Sequence, residues 1–165
     1  MSKAHGDILF LRQAITLASQ AEKDGNLPIG AVITLDGRVI ASGRNSIWSP
    51  KLRLDCHAEM EALRSVPVDA RGRFSEMTLY TTLEPCLMCA GAILLHRIGR
   101  VVFGASDGYG GATTTFGRMP PFFQEALTGT QWIGPLLPDE CDRLARRATE
   151  LEAGRHGRQE EPAHR

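Results

Sequence analysis

The chain carries no surplus of charge: 19 basic side chains are matched by 19 acidic ones. Steering of the whole molecule toward a polyanion is therefore not built in, which leaves a local basic patch as the route to nucleic acid. Long hydrophobic runs are missing too. The most apolar segment, Ala90–Leu95, is far too short to span a bilayer, and no N-terminal stretch joins a basic end to an apolar run as a signal peptide would. A cytoplasmic protein is expected. Cysteine is scarce, four residues in 165. In that compartment a pair spaced C-x-x-C favours metal over crosslinks. Internal repeats are absent. The length suits one domain with a sizeable core, residues 1–153. The segment 154–165 is rich in Arg, His, Gln, Glu and Pro and is expected to be disordered.

The apolar residues that are present fall into short periodic stretches. Ile8, Leu11, Ile15 and Ala18 repeat at helical spacing and predict a helix over 6–24, ended by Asp24-Gly25-Asn26 and Pro28. Two apolar runs, Ile29–Ile33 and Val39–Ala41, flank Asp36-Gly37, a strong two-residue hairpin signal. After a loop over 46–56 a helix is expected from His57 toward Val66, then a polar connection over 67–75. Thr78–Thr82 reads as a strand, Cys86–His96 as a helix with Pro85 suited to its first turn, and Arg100–Gly104 as a strand. A flexible glycine- and threonine-rich loop follows, then a short helix over 120–127, an edge strand over 131–133 and a last helix over 139–151. This order implies an α/β fold with partly parallel strands and helices on both faces of the sheet.

The chemistry concentrates between Asp55 and Cys89. His57, Cys86 and Cys89 supply one imidazole and two thiolates, and three ligands leave one corner of a zinc tetrahedron open for water. Cys86 and Cys89 fall at a helix start, where exposed N–H groups favour thiolate, and their i, i+3 spacing puts both sulfurs on one side. His57 meets them only if two helix N-termini converge. Glu59 stands two residues past the histidine, so both can approach the metal only where the chain enters its helix. There Glu59 acts as an acid/base group beside a metal-activated water, and the implied reaction is hydrolytic attack on an electrophilic carbon. A closed structural zinc site would need a fourth ligand, and Cys56, adjacent to His57, is a poor candidate. The bland reading of Cys56 and Cys141 is small buried apolar residues.

His57-Ala58-Glu59 followed by Pro85-Cys86-Leu87-Met88-Cys89 resembles the cytidine deaminase superfamily of zinc-dependent base deaminases. The likeness runs from the first helix to Gly104. Pro28–Val32 and Thr82–Gly104 look most like bacterial tRNA-specific adenosine deaminases, and Leu79–Leu83 is similar to free-base cytosine and guanine deaminases. The resemblance implies a three-layer α/β/α sandwich around a mixed five-stranded sheet, usually dimeric, with one Zn2+ per subunit on His57, Cys86 and Cys89. It implies Glu59 as proton shuttle, and Asn45 and the Ala58 backbone N–H as contacts to the base. Past Gly104 the pattern departs. Gly108-Tyr109-Gly110-Gly111 stands where the tRNA enzymes usually carry a lysine, and Arg143-Leu144-Ala145-Arg146-Arg147 lacks their aromatic pair. Asp55-Cys56 replaces the usual Thr-Ala. These departures tilt the expectation toward a small nucleobase, nucleoside or nucleotide. A tRNA adenosine deaminase is the alternative, and an inactive zinc-stabilised binding module a remote one.

Several other residues carry two readings. Trp48 can stack on a base or pack half-buried, and packing is the commoner fate. The Asp107–Gly117 loop is either a lid or a plain turn. Phe116, Phe122 and Phe123 are expected in the core. Arg71, Arg73, Arg97 and Arg100 are expected mostly at the surface.

Overall fold

The computed structural model describes the backbone of residues 3–159 and the side chains of 5–155. Its helices are α1 (Lys3–Lys23), α2 (Ala58–Arg64), α3 (Leu87–Leu95), α4 (Pro121–Thr128) and α5 (Pro138–Gln159). Its strands are β1 (Gly30–Leu35), β2 (Arg38–Arg44), β3 (Thr78–Leu83), β4 (Arg100–Ala105) and β5 (Gln131–Ile133). Asp36 and Gly37 take φ of 51° and 72°. Two successive left-handed residues are what a tight hairpin turn needs, and Asp-Gly provides them at low cost.

The strands form one mixed sheet in the order β2-β1-β3-β4-β5. β1 pairs antiparallel with β2 and with β3, whereas β3–β4 and β4–β5 are parallel. Alternation along each strand sorts the core into two layers. Ile33, Leu79 and Val101 pack with Ala62 and Leu63 of α2 and Ile93 of α3. Val32, Tyr80 and Val102 pack with Leu11 of α1 on the other face. α5 joins α1 there, tied by Arg12–Glu140 (3.1 Å) and Arg147–Glu22 (2.7 Å). The result is the expected three-layer α/β/α sandwich.

This topology positions the site. Strands β2 and β3 both run opposite to β1 and hence parallel to each other, so α2 and α3 start at the same end of the sheet, on the same face. The end of β2 is also packed unusually tightly against α2. A Cβ on Gly43 would lie 2.2 Å from the Ala58 carbonyl oxygen and 2.4 Å from the Ala62 nitrogen. No other residue type fits between strand and helix, and that close approach sets where α2 begins.

The polar connection after α2 coils into 3-10 turns over Val68–Glu76. Three expectations need correcting. Arg100 is not a surface residue: it is buried and grips Asp7 of α1 with two bonds of 2.7 and 2.6 Å, while Tyr80 donates to the same carboxylate at 2.9 Å. A carboxylate in the second turn of an amphipathic helix gave no hint of that pairing. Phe122 is half exposed, with the Arg97 guanidinium 5.3 Å from its ring centre, whereas Phe116 and Phe123 do pack against Leu94, Met119 and Ala126. The last helix continues past Gly154 to Gln159, so the expected tail does not begin at 154. Its remainder, 160–165, lies outside the described residues. No described helix is long and apolar enough to cross a membrane.

Candidate metal centre and active-site cleft

His57 and Cys86 hold equivalent places, each the capping residue of its helix. His57 has φ −70° and ψ 155°, and Cys86 has φ −68° and ψ 170°. Neither side chain is spent on capping, so both project from the helix mouth. Because α2 and α3 start side by side, His57 Nδ1 lies 3.5 Å from Cys86 Sγ and 3.6 Å from Cys89 Sγ. Two ligands held about 2.0 and 2.3 Å from one ion at tetrahedral angles are about 3.5 Å apart. The donor set therefore fits zinc in chemistry and in spacing, and it is the only such cluster among the described residues. Cys56 is not part of it. That thiol is buried, faces the Arg64 guanidinium at 3.6 Å, and is pushed up in pKa by burial.

The electrostatics suit a cation. A hydrogen bond from Cys89, reinforced by His57, pulls the Cys86 thiol down to about 4. Cys89 moves the other way, raised by that same bond to Cys86, by burial and by Glu59. The opposite shifts mean that the two sulfurs share one negative charge, borne by Cys86. His57 is raised, chiefly by its contact with that sulfur.

Glu59 sits in the first turn of α2, where the chain is still entering the helix, as the two-residue offset from His57 requires. It is 4% exposed. Its Oε1 accepts a hydrogen bond of 2.8 Å from the Thr81 hydroxyl, and its Oε2 lies 3.5 Å from Cys89 Sγ. Burial pushes its carboxyl above the usual carboxylate range. Such a group holds and returns a proton more readily than a solvated one. Thr81 was not singled out from the sequence, since a threonine in a strand of β-formers carries no distinguishing mark.

A cleft of about 830 Å³ leads from His57, Glu59 and Cys86 outward between residues 106–110 and the face of α5. Asn45 and Ala58 do not line it; both are fully buried. Asn45 Oδ1 accepts from the Ile47 N–H at 3.3 Å, and its Nδ2 has no partner among the described residues. Trp48 packs half-buried with Leu27, Ile47 and Ala148, and the Arg155 guanidinium covers its ring at 4.0 Å. The packing reading holds for it.

The loop after β4 is tied down rather than flexible. Asp107 Oδ1 accepts from the N–H groups of Tyr109 and Gly110, both at 2.9 Å. Glu84, 5% exposed, accepts from Asp107 N (3.0 Å), Thr113 N (3.1 Å) and the Thr113 hydroxyl. Glu84 is the residue of the cleft wall that sequence reasoning missed. The available signal was a charged side chain between a buried strand and a metal-binding helix, followed by a glycine-rich loop able to crowd against it.

Comparison with known proteins agrees with this geometry. Residues 5–105 match the family model for the cytidine and deoxycytidylate deaminase zinc-binding region. The chain is 43% identical over 141 residues to the tRNA-specific adenosine deaminase of Bacillus subtilis, covering 82% of this chain and 83% of that one. It is 45% identical over 102 residues to the tRNA-specific adenosine deaminase of Haemophilus influenzae, 61% of this chain and 59% of that one. Among solved structures, a tRNA:A34 deaminase of A-to-I editing at the wobble position superposes with TM-score 0.67 at 34% identity, over 83% of this chain and 99% of that one. A guanine deaminase from Bacillus subtilis superposes with TM-score 0.53 at 36% identity, over 64% and 66%.

Proposed function

Because the chain belongs to the cytidine and deoxycytidylate deaminase family, as a zinc-binding hydrolytic deaminase, we propose that it converts adenosine to inosine at the wobble position of a tRNA anticodon loop, in the cytoplasm. One observation carries the choice of substrate. The 43% identity to a tRNA-specific enzyme covers 82% of the chain, so it must extend well beyond residue 105. That is the region whose departures from the pattern of the tRNA enzymes tilted the expectation toward a small base. The cleft adds support: Arg146 stands on its α5 wall with no ion-pair partner among the described residues, as a phosphate-binding group would.

His57, Cys86 and Cys89 would hold zinc, which when bound would supply a water whose pKa is lowered toward about 7. Glu59 takes a proton at the carboxylate oxygen not engaged by Thr81 and returns it to the departing amino group. The ring carbon gains oxygen, and nitrogen leaves as ammonia. Thr81 holds the carboxylate in one rotamer, so the proton is carried over a fixed path. Asn45 Nδ2, buried and unspent, and the Ala58 N–H are the base contacts that the family resemblance implies; neither lines the cleft as it stands, so the cleft must deepen to bring a base to them. Leu87, Met88 and Leu95 stand 57, 39 and 59% exposed on α3, which supports pairing of two subunits through that helix.

The test is a substrate panel. Zinc-loaded protein is incubated with unmodified tRNA bearing a wobble adenosine, and separately with adenine, guanine, cytosine and their nucleosides, and the products are separated by chromatography. Inosine in the tRNA is expected. Turnover of guanine or cytosine with the tRNA untouched would overturn the proposal in favour of a small-base deaminase.

A further inference from the structure

Tyr109 is 104% exposed, as open as a tyrosine in a short peptide, and it lines the same cleft as His57, Glu59 and Cys86. The contrast with its backbone is informative. Tyr109 N and Gly110 N both donate to Asp107 Oδ1 at 2.9 Å, and Gly111 N donates to Asp107 O at 3.0 Å. The flanks are fixed in turn by Glu84 through Asp107 N and Thr113 N, and by Ala112 N donating to Pro85 O at 3.0 Å. An unpacked aromatic side chain is thus carried on an anchored loop at the mouth of the cleft. Folding gains nothing from its ring, since no apolar surface is buried by it.

We propose that Tyr109 is a stacking platform for the base next to the target nucleotide in a single-stranded RNA loop. The inference rests on the tRNA reading above. The target base must reach Glu59, which is buried, while its neighbours remain attached at the cleft mouth, where Tyr109 stands. Bases splayed out of an RNA loop lose their own stacking and are held by aromatic faces, a contact indifferent to sequence. The ring carries no charge, so it adds grip to a chain whose net charge is zero. Tyr109 touches a flanking base and not the reacting carbon, so it acts on binding and leaves the chemistry alone.

The test compares wild type, Tyr109→Ala and Tyr109→Phe on an anticodon stem–loop RNA, with melting temperature as the check on folding. Tyr109→Ala should raise KM roughly five- to hundredfold with kcat within about twofold, matching the loss of one stacked base. Tyr109→Phe should stay within about twofold of wild type, because the ring and not the hydroxyl does the stacking. A 2-aminopurine beside the target adenosine should be quenched on binding wild type and stay bright with Tyr109→Ala. An RNA-active wild type whose Tyr109→Ala variant keeps its KM overturns the platform and spares the functional reading. A phenylalanine variant as impaired as the alanine variant also overturns it. A wild type inactive on RNA overturns both.

Discussion

Replacing Glu84 with glutamine keeps the side chain's size and changes one thing, the nature of its outer oxygen. In the wild type, Oε1 serves the backbone and hydroxyl of Thr113 while Oε2 serves the Asp107 N–H. A glutamine that keeps its oxygen toward Thr113 turns an NH2 group toward Asp107 N–H, donor against donor. The opposite orientation turns the NH2 toward Thr113, whose hydroxyl can rotate to accept but whose N–H then faces a donor, so either orientation strands one backbone N–H. The cost is one charge-assisted hydrogen bond plus an unpaired N–H in a site where Glu84 is 5% exposed, about 2 kcal/mol. Because the loop can unlatch without the sheet unfolding, that cost appears as local opening. Amide exchange at Asp107 should speed up roughly 30-fold, the equivalent of about 2 kcal/mol, while the exchange of β3 and β4 amides changes little. In steady-state assays KM should rise and kcat should hold within a few-fold, since none of His57, Glu59, Cys86 and Cys89 is touched. Unchanged exchange at Asp107 would refute the latch. A collapse of kcat at constant KM would refute it differently, by placing Glu84 in the chemistry.

Further expectations concern the site and its support. Glu59→Gln should retain one zinc by elemental analysis and lose ammonia release by roughly 10²-fold or more; residual activity within tenfold of wild type would remove Glu59 from the proton path. Zinc affinity should rise with pH, because the raised Cys89 and His57 hold protons that the metal must displace. Titration calorimetry in buffers of different ionisation enthalpy should therefore detect proton release at neutral pH, and an affinity flat between about pH 6 and 8 would contradict the assignment of shared charge. Arg100→Met strands the buried Asp7 carboxylate and should lower unfolding stability by about 3–5 kcal/mol in urea titrations. The double variant with Asp7→Leu should recover much of that loss, and failure to recover would mean that the pair stabilises more than it costs to bury.

The metal centre was readable in the sequence because its geometry is local twice over. His57 with Glu59 and Cys86 with Cys89 each occupy a helix start, and only the convergence of the two starts is tertiary. Even that followed from the strand–helix–strand order. The sheet was legible for the same reason, through Asp36-Gly37 and the short apolar runs of β1 and β4. What stayed hidden were polar contacts between distant segments. Asp7 with Arg100, Thr81 with Glu59, and Glu84 with Thr113 are separated by 93, 22 and 29 positions. No periodicity announces a buried acceptor waiting for a donor so far along the chain. Gly43 belongs with these, since its need for bareness arises from α2, which it meets only after the fold closes.

The placing of the cleft walls has a consequence for how such a protein can change its target. Everything that binds the metal and moves the proton lies between His57 and Cys89, whereas the outer walls come from residues 106–110 and α5. The two portions meet along β4–β5, where α5 packs on α1 and where Phe116 and Phe123 pack on Leu94, and near the metal site at Glu84 against Asp107 and Thr113 and at Gly104, whose missing Cβ makes room for the Cys141 sulfur. Provided those seams are preserved, the later portion can be exchanged like a tool head on a fixed handle. A chimera taking residues 106–159 from a deaminase of another base should keep its zinc and adopt the donor's choice of ring.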